Sequence, residues 1–210
     1  MTIRILTVGP VACNCCVVAC PNTHEAVIID PGGHPDRILA VVKSMDVKVT
    51  QIWHTHAHFD HILATGVIAK ATGARIGLHA ADRELFENLP KQGDIFGFES
   101  QPLPRPDLLF VGGETLTIGT LSAKVLATPG HTPGSVGYYF ELPSPVLFSG
   151  DTLFSESIGR TDVTGGSYKA IVRSIREVLY TLPGNTRVIP GHGGETTIVH
   201  EREHNPFVPA

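Results

Sequence analysis

Four times along this chain an apolar run ends in a small-residue turn, followed by a side chain able to bind a metal ion. QIW leads to His54-Thr55-His56-Ala57-His58, KVLATPG to His131, VLFSG to Asp151 and RVIPG to His192. A short apolar run bounded by turn residues reads as a buried strand. In α/β sheets functional side chains gather beyond the carboxyl ends of strands, so four such ends can aim at one place. Strands and helices alternate through both halves with no linker between them, which is the pattern of one α/β domain over residues 1–210.

The remaining elements fit between these landmarks. IRILTV, CCVVAC and AVIID are strand-like, the last two joined as a hairpin through PNTHE. Pro35 opens a helix with Ile38, Leu39, Val42 and Met45 on one face. HILATGVIAKATG is helical, RIGLH is a strand and AADRELFEN a short helix. Residues 89–107, rich in Pro and Gly and without a period, read as a loop, either at a site mouth or crossing between the halves. Its Phe96 and Phe98 either line an apolar wall or anchor the loop to the core. ETLTIG, LSAKVLATPG, SVGYYFEL and PVLFSG are strands. SYKAIVRSIREVLYTL is a helix, with Ile171, Ile175, Val178, Leu179 and Leu182 on one side and a stop at Pro183-Gly184.

A net charge of −4 without a basic run argues against nucleic acid as a partner, and no apolar stretch is long enough to span a membrane. The four cysteines, Cys13, Cys15, Cys16 and Cys20, lie in one strand-like stretch. As a zinc site they would need a second ligand pair elsewhere; as small hydrophobes they suit a reducing cytosol. Pro10 and Asn14 interrupt the apolar N-terminal segment, so it is not read as an export signal, and a cytoplasmic location is expected.

Within HTHAHFDH, His56 and His58 are two apart, so on an extended segment their imidazoles face the same side. Asp60 and His61 are adjacent, at the start of a helix, and face elsewhere. Two ions resolve the geometry: His56, His58 and His131 hold one, Asp60, His61 and His192 the other, and Asp151 spans both. Each ion keeps open positions for a shared water, as a catalytic site requires. His54 is left as a packing histidine beside the ligands, and His24, His34, His79, His200 and His204 fall at surface or turn positions.

HTHAHFDH followed by TPGHT, FSGDTLF and PGHGG resembles the metallo-β-lactamase fold, whose mark is HxHxDH and then a His, an Asp and a His. GDTLFSESIGRTDVTGG and TTIVHEREHNPF resemble the glyoxalase II branch, the hydroxyacylglutathione hydrolases, and especially its short bacterial members. The resemblance implies an αββα sandwich of two similar halves with a dinuclear site at its edge. Asp151 stands where the best-known β-lactamase subclass carries Cys, which argues against antibiotic hydrolysis. Full-length glyoxalase II enzymes add a C-terminal helical domain with cationic contacts to glutathione. This chain reaches Ala210 shortly after His192, so those contacts are expected to be missing and the choice of thiol stays open.

The expected chemistry is attack on a thioester carbonyl by hydroxide bridging two ions, which lower the pKa of a shared water from ~15.7 toward ~7. A cysteine-type thiol, with a pKa near ~8.5, leaves as thiolate without a general acid, whereas an amine does not. Asp60 is a ligand that can also relay the proton. Arg160 either binds a substrate carboxylate or pairs with Asp162. Nitrogen and oxygen ligands admit zinc, iron or manganese, with zinc the first choice. The alternatives are a mononuclear iron enzyme resembling the persulfide dioxygenases, a lactone hydrolase and a non-catalytic metal-binding module.

Overall fold

The computed structural model describes residues 1–97, 100–141 and 144–209, and Phe98 lies outside them. Two six-stranded sheets form among the described residues. The first runs in the order β1 (Thr2–Val8), β2 (Cys13–Ala19), β3 (Glu25–Ile29), β4 (Lys48–Trp53), β5 (Arg75–His79) and β6 (Leu108–Phe110). The second holds β7 (Thr115–Ile118), β8 (Leu121–Ala127), β9 (Val136–Phe140) and β10 (Val146–Gly150). A two-stranded pair follows, β11 (Leu153–Phe154) with β12 (Ser157–Ile158), and the second sheet is completed by β13 (Arg187–Pro190) and β14 (Thr196–Thr197).

Parallel pairs need a crossover, and helices supply it. α1 (Pro35–Ser44) links β3 to β4, and α2 (Phe59–Ile62) with α3 (Thr65–Thr72) links β4 to β5. α4 (Arg83–Glu87) and α5 (Leu89–Phe96) follow β5, α6 (Tyr168–Glu177) links β10 to β13, and α7 (Ile198–His204) follows β14.

Strands β2 and β3 are continuous apolar runs because both of their faces are covered. Cys16, Val18, Val27 and Ile29 turn toward the second sheet, among Trp53, Val125, Tyr138, Phe140 and Phe148. Cys15, Val17, Ala26 and Ile28 turn outward onto Ile38 and Val42 of α1, Ile68 of α3 and Phe86 of α4. Ile171 and Ile175 of α6 cover the outer face of the second sheet at Leu147 and Val188. The layers are therefore helix, sheet, sheet, helix: the αββα sandwich. Each fully buried Phe or Ile in these layers contributes about 1.5–3 kcal/mol. All four cysteines are free and buried, as small core residues. Among the described residues no helix is long and apolar enough to cross a membrane.

Three expectations need correction. Residues 89–107 are not all loop, since Leu89–Phe96 is helical, with a proline in its first turn. Its inward face carries Leu89, Gln92 and Gly93, so polar and small residues stand where an apolar period would have marked a helix. The segment from His61 to Gly73 is two helices rather than one, broken around Leu63 and Ala64. The helix expected over 167–182 ends at Glu177, is capped by Val178, and Leu179–Thr181 continues as a tighter 3₁₀ turn.

Candidate metal centre

The ladder between β4 and β5 continues one residue beyond β4, where His54 N donates to Gly77 O at 3.0 Å. The next carbonyl, on Thr55, accepts from Val136 N of the second sheet at 2.8 Å, so the chain crosses between sheets here. Tyr138, buried beside Trp53 in the core between the sheets, donates its hydroxyl to His54 O at 2.7 Å. Beyond this crossing, side chains hold the backbone. Ala57 N donates to Asp82 Oδ2 at 3.0 Å, while Gln92 accepts from Phe59 N at 2.8 Å and donates to Ala57 O at 3.0 Å. Gln92 thus bonds the segment as a neighbouring peptide group would. Phe96, one turn further along α5, packs against Phe59 with ring centroids 4.6 Å apart.

The other carriers arrive from the second sheet through glycine turns. Gly150 has φ 53°, and a Cβ there would come within 2.5 Å of Thr55. At Gly191 a Cβ would sit 2.1 Å from Asp151 Oδ1 and 2.8 Å from His61 Cε1. Small residues at these turns let the strand ends approach one another closely enough to share a site.

Seven side chains named from the sequence are brought together. Ligand-capable atoms of His56, His58 and His131 lie within 4.8 Å of one another, as do those of Asp60, His61 and His192, and those of His56, His61 and Asp151. Asp151 sits between the first two groups: Oδ1 is 3.4 Å from His61 Nε2, while Oδ2 is 3.6 Å from His131 Nε2 and 3.7 Å from His192 Nε2.

The partners of the outer ring nitrogens set the tautomers. His61 Nδ1 is 3.0 Å from Asp30 Oδ2, His131 Nδ1 is 2.8 Å from Arg160 O and His192 Nδ1 is 3.1 Å from Val11 O. These three partners only accept, so each Nδ1 carries a proton and each Nε2 is the nitrogen turned inward toward a ligand. The fourth case runs through a relay: Thr55 Oγ1 donates to Asp30 Oδ2 at 2.6 Å, which leaves it to accept from His56 Nδ1 at 3.2 Å.

The inward nitrogens then meet in the middle, with His58 Nδ1 2.8 Å from His131 Nε2 and His61 Nε2 3.2 Å from His192 Nε2. His56 Nε2 and Asp151 Oδ1 are buried without a hydrogen-bond partner. Ring nitrogens this close, beside orphaned acceptors, need a proton or a cation among them, so the residues present fit a divalent metal.

Electrostatics agrees. Burial, reinforced by neighbouring imidazoles, holds His56 well below its ordinary pKa and His58 down at about 3, so both stay neutral. At His61 burial opposes the charge, yet Cys13 and the carboxylates of Asp151, Asp30 and Asp60 outweigh it and raise the pKa. The carboxyl of Asp60 is depressed: burial works to raise it, and His61 and His192 overcome that. The second group is therefore rich in negative charge and attracts a cation.

His54 packs beside the site as expected, fully buried, its Nε2 3.3 Å from Thr65 Oγ1. His24, His34 and His204 are exposed, and His79 and His200 half-buried. The guanidinium of Arg160 is held by Asp162 at 2.9 and 3.1 Å, and its backbone carbonyl orients His131. Two partners of the ligands were not foreseen. Cys13 brings its sulfur to 3.6 Å from His61 Nδ1, with burial pushing its thiol up to about 11. Asp30, 2% exposed, accepts from Thr55 and His61 together. A signal for it existed: AVIID is a fifth apolar strand ending in a ligand-type residue.

A sandwich with His and Asp groups at the ends of strands from both sheets defines a metal-binding α/β class. The model of the metallo-beta-lactamase superfamily matches residues 8–192, and the chain belongs to that superfamily. A relative from Aquifex aeolicus, described as an uncharacterized protein, is 41% identical over 99% of this chain and 97% of its own length. The Haemophilus influenzae protein named hydroxyacylglutathione hydrolase GloC is 37% identical over 99% of this chain and 98% of its own. Among solved structures, BLEG-1 B3 metallo-beta-lactamase superposes with a TM-score of 0.93 at 38% identity, covering 100% of both chains. TTHA1623 in a di-iron-bound form gives 0.89 at 35% identity over 98% of this chain and 100% of that one. ETHE1 from Myxococcus xanthus gives 0.82 at 30% identity over 98% of this chain and 84% of that one.

Proposed function

We propose that this chain is a dinuclear-metal hydrolase of thioesters, of the hydroxyacylglutathione hydrolase kind. The observation that carries the reading is the position of Asp151, whose carboxylate reaches both histidine groups, His131 of the first and His61 and His192 of the second. His56, His58 and His131 would hold one ion, Asp60, His61 and His192 the other, and Asp151 would join them. Bound there, two divalent cations supply an acidified water and an electrophilic contact for a carbonyl oxygen. Zinc remains the first choice of metal, with iron and manganese compatible with the same ligands.

The protein's own groups select the substrate class. With ions bound the inward nitrogens would be ligands and not acids, and Asp60 is a depressed, ligating carboxylate rather than a proton carrier. A leaving group here departs without help, which suits a thiolate and not an amine. The GloC relative supports this choice. Arg160 is proposed to bind a substrate carboxylate by exchanging it for Asp162, and the substrate is a small molecule acted on in the cytoplasm, where free thiols persist.

The mononuclear iron alternative would leave Asp60, His61 and His192 without a role. One sample decides between them. Acyl-glutathione, acyl-CoA, lactone and β-lactam substrates are assayed alongside metal content and oxygen uptake. Thioester turnover with two ions per chain is expected; one iron with oxygen consumption, or turnover of lactones or β-lactams alone, refutes it.

A further inference from the structure

We infer that Asp82 is a positioning residue that clasps together the two loops carrying His56, His58 and His131, and that it serves this ion and not its neighbour. The inference rests on the two-ion reading above. Asp82 ends the 3₁₀ turn Ala80–Asp82 that follows β5 and is 1% exposed. Its Oδ2 accepts from Ala57 N at 3.0 Å and from Thr132 Oγ1 at 2.8 Å; its Oδ1 accepts from Gly134 N at 2.7 Å.

All three donors lie on the loops that carry His56, His58 and His131. Ala57 lies between His56 and His58, and Thr132 follows His131 directly. One carboxylate from the first half of the fold therefore sets the distance between a ligand pair on one sheet and the third ligand on the other. None of its donors adjoins Asp60, His61 or His192.

The fit is specific to a carboxylate. Both oxygens are used and every partner donates, so an amide of the same shape would aim N–H at N–H on one side. The space is also specific, since a Cβ at Gly134 would lie 2.6 Å from Asp82 Cγ. Thr132 is fixed in turn by Ser135, whose Oγ accepts from Thr132 N at 3.0 Å. Partners of this kind, one step behind the ligands, commonly change metal affinity by ~10–100-fold when removed.

The test uses the metal-stripped full chain titrated with Co²⁺, followed by its visible absorption and by competition with a chromogenic chelator. His58→Ala and His192→Ala assign the two binding steps. In Asp82→Asn the step missing from His58→Ala is expected to weaken by ~tenfold or more, and the step missing from His192→Ala to stay unchanged. Equal weakening of both steps, or of neither, overturns the inference. Thr132→Val removes one donor and leaves Asp82 in place; it is expected to show a smaller loss confined to the same step. Should Asp82→Asn fail to fold, unselective loss in Thr132→Val overturns the inference equally. A wild-type chain that takes up one ion only would sink the two-ion reading, whereas weakening of that ion by Asp82→Asn would still support the clasp.

Discussion

Replacing Asp30 by asparagine exchanges one oxygen for an amide nitrogen, at a position where both oxygens are occupied. Oδ1 accepts from Thr55 N at 2.8 Å, and Oδ2 from Thr55 Oγ1 at 2.6 Å and His61 Nδ1 at 3.0 Å. Asparagine satisfies one side only. With its oxygen toward His61, the amide faces Thr55 N and leaves a buried N–H unpaired, which costs about 1–3 kcal/mol. With its oxygen toward Thr55 N, the amide donates to His61 Nδ1. That ring must then carry its proton on Nε2, the nitrogen that faces His192 and Asp151. His56 is affected as well, because its tautomer depends on Thr55 Oγ1 donating to Asp30. Asp30→Asn is therefore expected to lower the stability of the metal-free chain by roughly 2 kcal/mol. It should also weaken both metal-binding steps by ~10–100-fold, unlike Asp82→Asn, which spares one. Urea unfolding of the stripped protein and Co²⁺ titration read the two effects. Wild-type stability together with two wild-type affinities would refute the tautomer reasoning.

His56→Ala is expected to abolish turnover and lower the metal count while the chain stays folded, checked by elemental analysis and circular dichroism. Its Nε2 has no partner inside the protein, so no protein hydrogen bond at that atom is lost. A pH effect follows from His54, which burial holds down at about 4 in the folded chain against 6.5 as its ordinary value. Between those values the unfolded chain binds the extra proton, so stability of the metal-free protein falls as pH drops from 6.5 toward 4. A gap of that size corresponds to about 3 kcal/mol. Denaturant unfolding at pH 7 and pH 5 reads about 2 kcal/mol of this; His56 and His58, also held low, add in the same direction, so His54→Gln should reduce the slope without abolishing it, and an unchanged slope in that variant would assign the titration elsewhere.

What could be read in the sequence was the part encoded by local spacing. His56, His58, Asp60 and His61 fall within a few positions, and His131, Asp151 and His192 each end an apolar strand, so pattern alone marks them. The strands buried on both faces and the amphipathic α1 and α6 were legible for the same reason. Of the residues that hold the ligands, Asp30 ends an apolar strand in the same way, but Asp82 and Gln92 carry no such mark. Asp82 and Gln92 are single polar residues whose partners on the ligand-bearing loops lie 25 to 52 positions away, and only the fold brings them together. Gln92 even conceals its own helix, because a polar residue on the inward face breaks the apolar period. Short elements such as β6, β14 and the β11–β12 pair were missed because two or three residues cannot show a period.

The division of ligands between the halves has a thermodynamic consequence. His56, His58, Asp60 and His61 follow β4 of the first sheet, while His131, Asp151 and His192 follow strands of the second. Either ion would thus join both sheets, and its binding energy counts toward holding them together. At free metal a thousand times its dissociation constant this amounts to about 4 kcal/mol per ion, against a net stability of ~5–15 kcal/mol for a domain of this kind. Yet the sheets do not depend on that link. Trp53, Tyr138, Phe140 and Phe148 pack between them, and the hydroxyl of Tyr138 fixes the backbone at His54 directly. The core places the strand ends, Asp30, Asp82 and Gln92 hold the segments beyond them, and a cation would meet ligands already in place. That order separates this site from one that folds around its metal, and it is why losing His56 is expected to cost the ion and not the fold.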